Sequence, residues 1–169
     1  VSCPNCDPLV ASESMVQNWQ RQRASRPRVT SPNDALNYLL PHFVDKDGTV
    51  HRRERIVVMA LNAPGEVIGC TMLHEGNASK TLVCPKEILT WALRLGDTPC
   101  GIVLAHNHPS GDPTPSAEDR ALTRKLGHLL KEFGVPLHDH IIVGGQGRWK
   151  SFAVLGIMPS WGASTIAFI

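Results

Sequence analysis

Ile102-Val103-Leu104-Ala105-His106-Asn107-His108-Pro109-Ser110-Gly111 is the stretch on which fold and chemistry both turn. Its four apolar residues read as a short interior strand, and the chain then enters a Pro- and Gly-rich loop that runs to Pro115. Residues i and i+2 at a strand end face one side, so the imidazoles of His106 and His108 converge on one point. Ser116 then opens the longest helix of the chain. Leu122, Leu126, Leu129, Leu130 and Phe133 form its apolar face before Gly134, and Asp119 stands in its first turn. Two imidazoles and one carboxylate are three ligands that leave the fourth position of a tetrahedral ion to water. Two nitrogens with one oxygen suit zinc, although Mn, Fe and Co fit the same donors. Ser116-x-x-Asp119 is also a helix capping box, a reading compatible with Asp119 facing the loop.

Downstream, Leu137 to Val143 returns as a strand and Trp149 to Val154 adds another. Upstream, the charged run His51 to Arg55 leads into Ile56-Val57-Val58-Met59-Ala60-Leu61, a strand buried on both faces. Asn62-Ala63-Pro64-Gly65 is turn chemistry, and Val67 to Leu73 reads as the second strand of a hairpin. Ser31-Pro32-Asn33-Asp34 supplies an N-cap, a first-turn proline and an acid. The stripe Ala35, Leu36, Leu39 and Leu40 follows until Pro41. Pro85 opens a further helix with Ile88, Trp91, Ala92 and Leu95 on one side and Gly96 as its stop. A hairpin followed by alternating helices and strands predicts an α/β (α+β) layer on a mixed sheet. Residues 1–30 read as a polar, basic tail with Arg21, Arg23, Arg26 and Arg28. Residues 31–158 form the ordered domain, and residues 159–169 an apolar tail.

The length of 169 residues and mass of 18.5 kDa suit one such domain. Seventeen Lys plus Arg against fifteen Asp plus Glu give a charge of +2, too mild to call for nucleic acid or an anionic membrane as partner. No apolar run approaches the roughly 18–20 residues that span a bilayer. The odd set Cys3, Cys6, Cys70, Cys84 and Cys100 argues for reduced thiols and a cytoplasmic address. Cys3-x-x-Cys6 reads either as half a zinc site or as a tail carrying two thiols. The opening on Val1 rather than Met leaves room for an upstream segment. Of eight histidines, five lie between His106 and His140. His140 reads either as a supporting or groove residue or as a satisfied structural histidine.

An open zinc site needs a proton acceptor, and Glu54 ahead of the apolar strand can take a proton from the water and return it to the leaving group. In its charged run the plainer role of Glu54 is a solvated ion pair. Ser116 can donate its hydroxyl to a developing oxyanion. Neighbouring chemistries lack their residues. A nucleobase deaminase needs H-x-E followed by P-C-x-x-C, and a zincin needs H-E-x-x-H on a helix. No G-x-x-x-x-G-K-[ST] phosphate loop is present.

His106-x-His108 with Ser116-x-x-Asp119 at this spacing resembles the motif of JAMM (JAB/MPN+) metalloproteases. More closely, the chain is similar to the RadC-type JAB domain. That likeness is carried by Glu54-x-Ile56, Val83-x-Pro85-Lys86-Glu87-Ile88, Ala105 to Gly111, and Asp139-His140-Ile141-Ile142-Val143-Gly144. It runs from about Ser31 to Met158. It implies a cytidine-deaminase-like mixed sheet flanked by helices, one catalytic zinc, and hydrolysis of a peptide or isopeptide bond, a ubiquitin-like tail among the candidate substrates. The alternative it implies is a metal-stabilised, non-catalytic accessory or DNA-binding module of bacterial DNA repair, mobile-element or phage-defence machinery. Cys84 stands where RadC-type sequences usually carry His, and Trp161 to Ile169 matches nothing in the family pattern.

Overall fold

The computed structural model describes Gln17, residues 25–76 and residues 84–160. Cys3, Cys6, Arg21, Arg23 and the apolar tail from Trp161 lie outside the described residues. In chain order the elements are α1 (Pro32–Leu39), a 3-10 turn (Leu40–His42), β1 (Glu54–Leu61), β2 (Val67–Gly76), α2 (Pro85–Ala92), β3 (Gly101–Asn107), α3 (Ala117–Glu132), β4 (Leu137–Val143) and β5 (Trp149–Ser151). The α1 cap is the one expected: Ser31 Oγ accepts the Asp34 N–H at 3.1 Å. The β1–β2 turn places Gly65 at φ +81°, and a Cβ there would meet Val29 O at 2.8 Å, so both the turn and the passing backbone call for glycine.

The five strands form one sheet in the order β2-β1-β3-β4-β5. β1 pairs antiparallel with both β2 and β3, β3 pairs parallel with β4, and β5 closes antiparallel on β4. This is the mixed sheet flanked by helices that the sequence predicts. Every residue from Ile56 to Leu61 is buried, because alternate side chains enter two different cores. Val57, Met59 and Leu61 pack with Val103, Ala105, Ile141 and the α1 residues Ala35, Leu36 and Leu39. Ile56, Val58 and Ala60 pack on the other face with Ile102, Leu104, the α2 residues Ile88 and Leu89, and the α3 residues Leu126 and Leu130.

Four local details differ from the sequence pattern. The helix α2 ends at Ala92 rather than reaching Leu95. Phe133 is 53% exposed, since it caps the end of α3 instead of continuing its buried stripe. The last strand stops at Ser151. There the Asp139 carboxylate accepts the Ser151 hydroxyl at 2.5 Å and the Ala153 N–H at 2.9 Å, bending the chain into a turn. Contacts with the sheet also begin upstream of Ser31. Val29 is buried and donates its N–H to Gly65 O, and Val67 donates to Pro27 O. Of the basic cluster, Arg26 pairs with Asp97 at 2.7 Å and Arg28 donates to Pro64 O at 2.9 Å.

Candidate metal centre

His106 is the last residue but one of β3 and lies 2% exposed beneath α3, on the same sheet face as Ile102 and Leu104. His108 follows just beyond the strand, held by its N–H to Val143 O at 2.9 Å. The two rings meet tip to tip, with Nε2 to Nε2 at 2.9 Å. Asp119 arrives from the first turn of α3, its Oδ1 at 3.1 Å from His106 Nε2 and its Oδ2 at 3.4 Å from His108 Nε2. These residues form the group able to hold a metal ion among the described residues. Ligands of a tetrahedral zinc lie about 3.3 Å apart, given metal–ligand bonds of about 2.0–2.1 Å, so the spacing suits such an ion.

Both roles read for Ser116 and Asp119 coexist in geometry. Ser116 Oγ accepts the Asp119 N–H at 3.0 Å, while Asp119 Oδ2 accepts the Ser116 N–H at 2.8 Å and its O–H at 2.7 Å. The capping box therefore orients the carboxylate toward the two imidazoles. Ser116 has its hydroxyl proton committed to Asp119 rather than to open space.

A hydrogen-bond partner fixes which nitrogen of His108 carries the proton. His108 Nδ1 lies 2.7 Å from Asp112 O, a carbonyl that can only accept, so Nδ1 donates and Nε2 of the neutral ring is a lone pair. His106 Nδ1 faces His140 Nε2 at 2.8 Å within a fully buried contact. Two imidazole nitrogens 2.9 Å apart beside a carboxylate are held together by a cation between them, either a proton or a metal ion. The electrostatics agree. The Asp119 hydrogen bond raises the His108 pKa despite opposing burial. For Asp119 burial works against ionisation, yet the hydrogen bonds from His106 and His108 overcome it and hold the carboxyl well below its usual range. Burial, with the nearby His106, drives His140 toward its neutral form.

Glu54 opens β1 at a half-buried position. Ile56 pairs with His106, so the antiparallel register carries Glu54 toward His108, whose pKa its charge helps to raise. A single sequence places no strand beside another, so only this pairing brings Glu54 to the site. Sequence reasoning missed two further residues. Asn107 accepts the Arg55 N–H at 2.8 Å and donates to His51 O at 2.9 Å and Arg53 O at 3.1 Å, clasping the backbone on either side of Glu54. Thr123 lies one turn beyond Asp119 and contacts His140; as a lone threonine in an amphipathic helix it carried no signal. Cys84 is exposed at the start of α2 and makes no capping bond there.

A mixed sheet between helices, with His-x-His ending a central strand and a carboxylate from the next helix, defines a JAB-type domain. The chain belongs to the RadC-like JAB domain family, whose model matches residues 29–157. It is 33% identical over 149 residues to a UPF0758 protein of Pelobacter propionicus, covering 88% of this chain and 62% of that protein. It is 42% identical over 105 residues to one from Symbiobacterium thermophilum, covering 62% of this chain and 44% of the relative. A Staphylococcus aureus UPF0758 protein is 37% identical over 137 residues, 81% of this chain and 59% of its own length. The chain therefore spans about half to three-fifths of the curated relatives it matches. Among the described residues no helix is long and apolar enough to cross a membrane.

Proposed function

We propose that the chain is a metal-dependent hydrolase of amide bonds, acting on a peptide or isopeptide, with zinc held by His106, His108 and Asp119. The convergence of two imidazole nitrogens and one carboxylate on a single point carries this reading. A bound zinc supplies Lewis acidity and lowers the pKa of a water to about 7. Glu54 takes one proton as the water oxygen attacks the carbonyl carbon, and returns it to the amine nitrogen as the C–N bond breaks. Ser116 turns its hydroxyl to the developing oxyanion, leaving its N–H on Asp119 Oδ2.

The competing reading is a metal-stabilised module without turnover that binds DNA or an accessory partner. It draws less support, because Arg26 and Arg28 are already engaged within the chain. Elemental analysis of the purified protein, paired with a peptide and isopeptide library read by mass spectrometry, separates the two. Hydrolysis predicts one transition metal per chain, cleavage products from the native protein, and at least a hundredfold loss with Glu54→Gln at unchanged metal content. Metal without products sustains the non-catalytic reading. Absence of stoichiometric metal overturns both.

A further inference from the structure

The hydrogen bonds behind His106 run back to the residue that faces it across the site. Thr123 Oγ lies 2.6 Å from Asp119 O, a carbonyl that can only accept, so the single hydroxyl proton of Thr123 is spent there. Thr123 Oγ also lies 2.7 Å from His140 Nδ1, and with its proton committed it must accept from an Nδ1–H. Neutral His140 then presents a lone pair at Nε2, 2.8 Å from His106 Nδ1, which must supply the proton. The neutral His106 ring is left with its lone pair on Nε2, the nitrogen 3.1 Å from Asp119 Oδ1. His140 has no freedom to turn. It is 0% exposed and stacks on Phe152 with ring centroids 4.7 Å apart.

We infer that Thr123 and His140 are positioning residues that lock His106 in its Nδ1–H tautomer and so keep Nε2 free for a cation. The inference rests on the metal-site reading above. It adds that the site is a closed ring of groups, leaving Asp119 by its carbonyl and returning to its carboxylate. A bare core histidine would need only some partner. Here each partner dictates the polarity of the next, and reversing any link puts an N–H where the cation belongs.

Two measurements test this. Long-range 1H–15N correlation of the metal-free protein, at a pH where the imidazoles are neutral, reads each tautomer directly. The expected result is Nδ1–H for both His140 and His106; an Nε2–H signal for His140 overturns the inference, and the native protein alone decides it. Zinc affinity, by competition with a chromophoric chelator, is then compared for Thr123→Val and Thr123→Ser. The isosteric Val variant should bind roughly 10- to 100-fold more weakly, with Ser restoring affinity to within about threefold of the native protein. Equal affinity of native and Val proteins overturns the relay while leaving the metal site intact. A native protein that binds no zinc overturns the metal-site reading instead, and the tautomer signals still report on the relay.

Discussion

Asn107 stands between the two converging histidines in sequence, yet it works on the opposite face of β3 and on a different part of the site. Strand alternation sends His106 toward α3 and Asn107 toward the segment before β1, where its amide satisfies three backbone groups flanking Glu54. Truncation to Asn107→Ala strands those groups. Each unsatisfied group costs about 1–3 kcal/mol and water reaches some of them, so the expected loss in urea denaturation is about 2–4 kcal/mol. Under the proposed function, Glu54-dependent hydrolysis should fall further than zinc affinity does. A loss under about 0.5 kcal/mol would show that the clasp contributes nothing. At this scale the sequence was legible where chemistry and periodicity coincide. His106, His108 and Asp119 are named by spacing alone, because an i, i+2 pair at a strand end and a first-turn carboxylate leave little geometric freedom. His140 was not resolved from sequence, because its side is set by a bulge. Ile102 pairs with Leu137 but Val103 pairs with Asp139, so His138 is an extra residue that flips everything after it. No composition cue marks that shift; Gly101, where a Cβ would overlap the His138 ring, is its only trace in the sequence.

Among elements, the β4–β5 turn shapes the loop that presents His108. Gly111 O accepts the Gly145 N–H at 2.9 Å and Arg148 Nη2 at 3.0 Å, pinning the 108–115 loop against residues 144–148. A Cβ on Gly144 would meet Gly111 O at 2.6 Å and Pro113 Cδ at 2.7 Å, contacts with backbone and a rigid ring that cannot move aside cheaply. Gly144→Ala should therefore cost about 1–3 kcal/mol and displace the Asp112 carbonyl from His108 Nδ1, weakening zinc binding in chelator competition. Gly147→Ala is the control. Its φ of +71° brings strain but no Cβ contact within 4 Å, so stability falls while zinc affinity holds. Equal effects of the two on zinc would remove the loop from the site's support. Helices and strands were legible from their apolar periods, and only their ends moved. Those ends respond to partners such as Asp139, which halts β5, and no single-residue propensity encodes that.

For the molecule as a whole, a proton and the proposed metal would compete for one position. Without metal, His108 is stabilised in its charged form chiefly by Asp119, so its contribution is present below the ordinary imidazole value and is lost as pH rises through its elevated pKa. Asp119 contributes in the opposite sense, present above the ordinary carboxylate value and lost as pH falls. The metal-free protein should therefore be most heat-stable between about pH 4 and 6.5 and lose stability above that window. Saturating zinc, which needs the unprotonated ring, should raise the melting temperature increasingly from pH 6 to 8. Thermal melts with chelator and with zinc across that range check both slopes. A chelated protein whose stability is flat through neutrality would mean the His108–Asp119 pairing is not formed in solution.

The short strap of residues 27–29 has a consequence for how the chain can be divided. It bridges Glu66 and caps the N-terminal end of β2, a ten-residue strand at the sheet margin, and among the described residues no strand pairs with the rest of that margin. An uncovered strand margin is a template for self-association. The two register breaks in the β1–β2 pairing twist the ribbon away from a flat template, so strap and twist together make that margin a poorer template for pairing between copies. Trimming the chain to Ser31 would remove the strap, uncover the backbone of Gly65 and Val67, and withdraw Val29 from the core. The helix that Ser31 caps would survive such a cut, but solubility at high concentration would not.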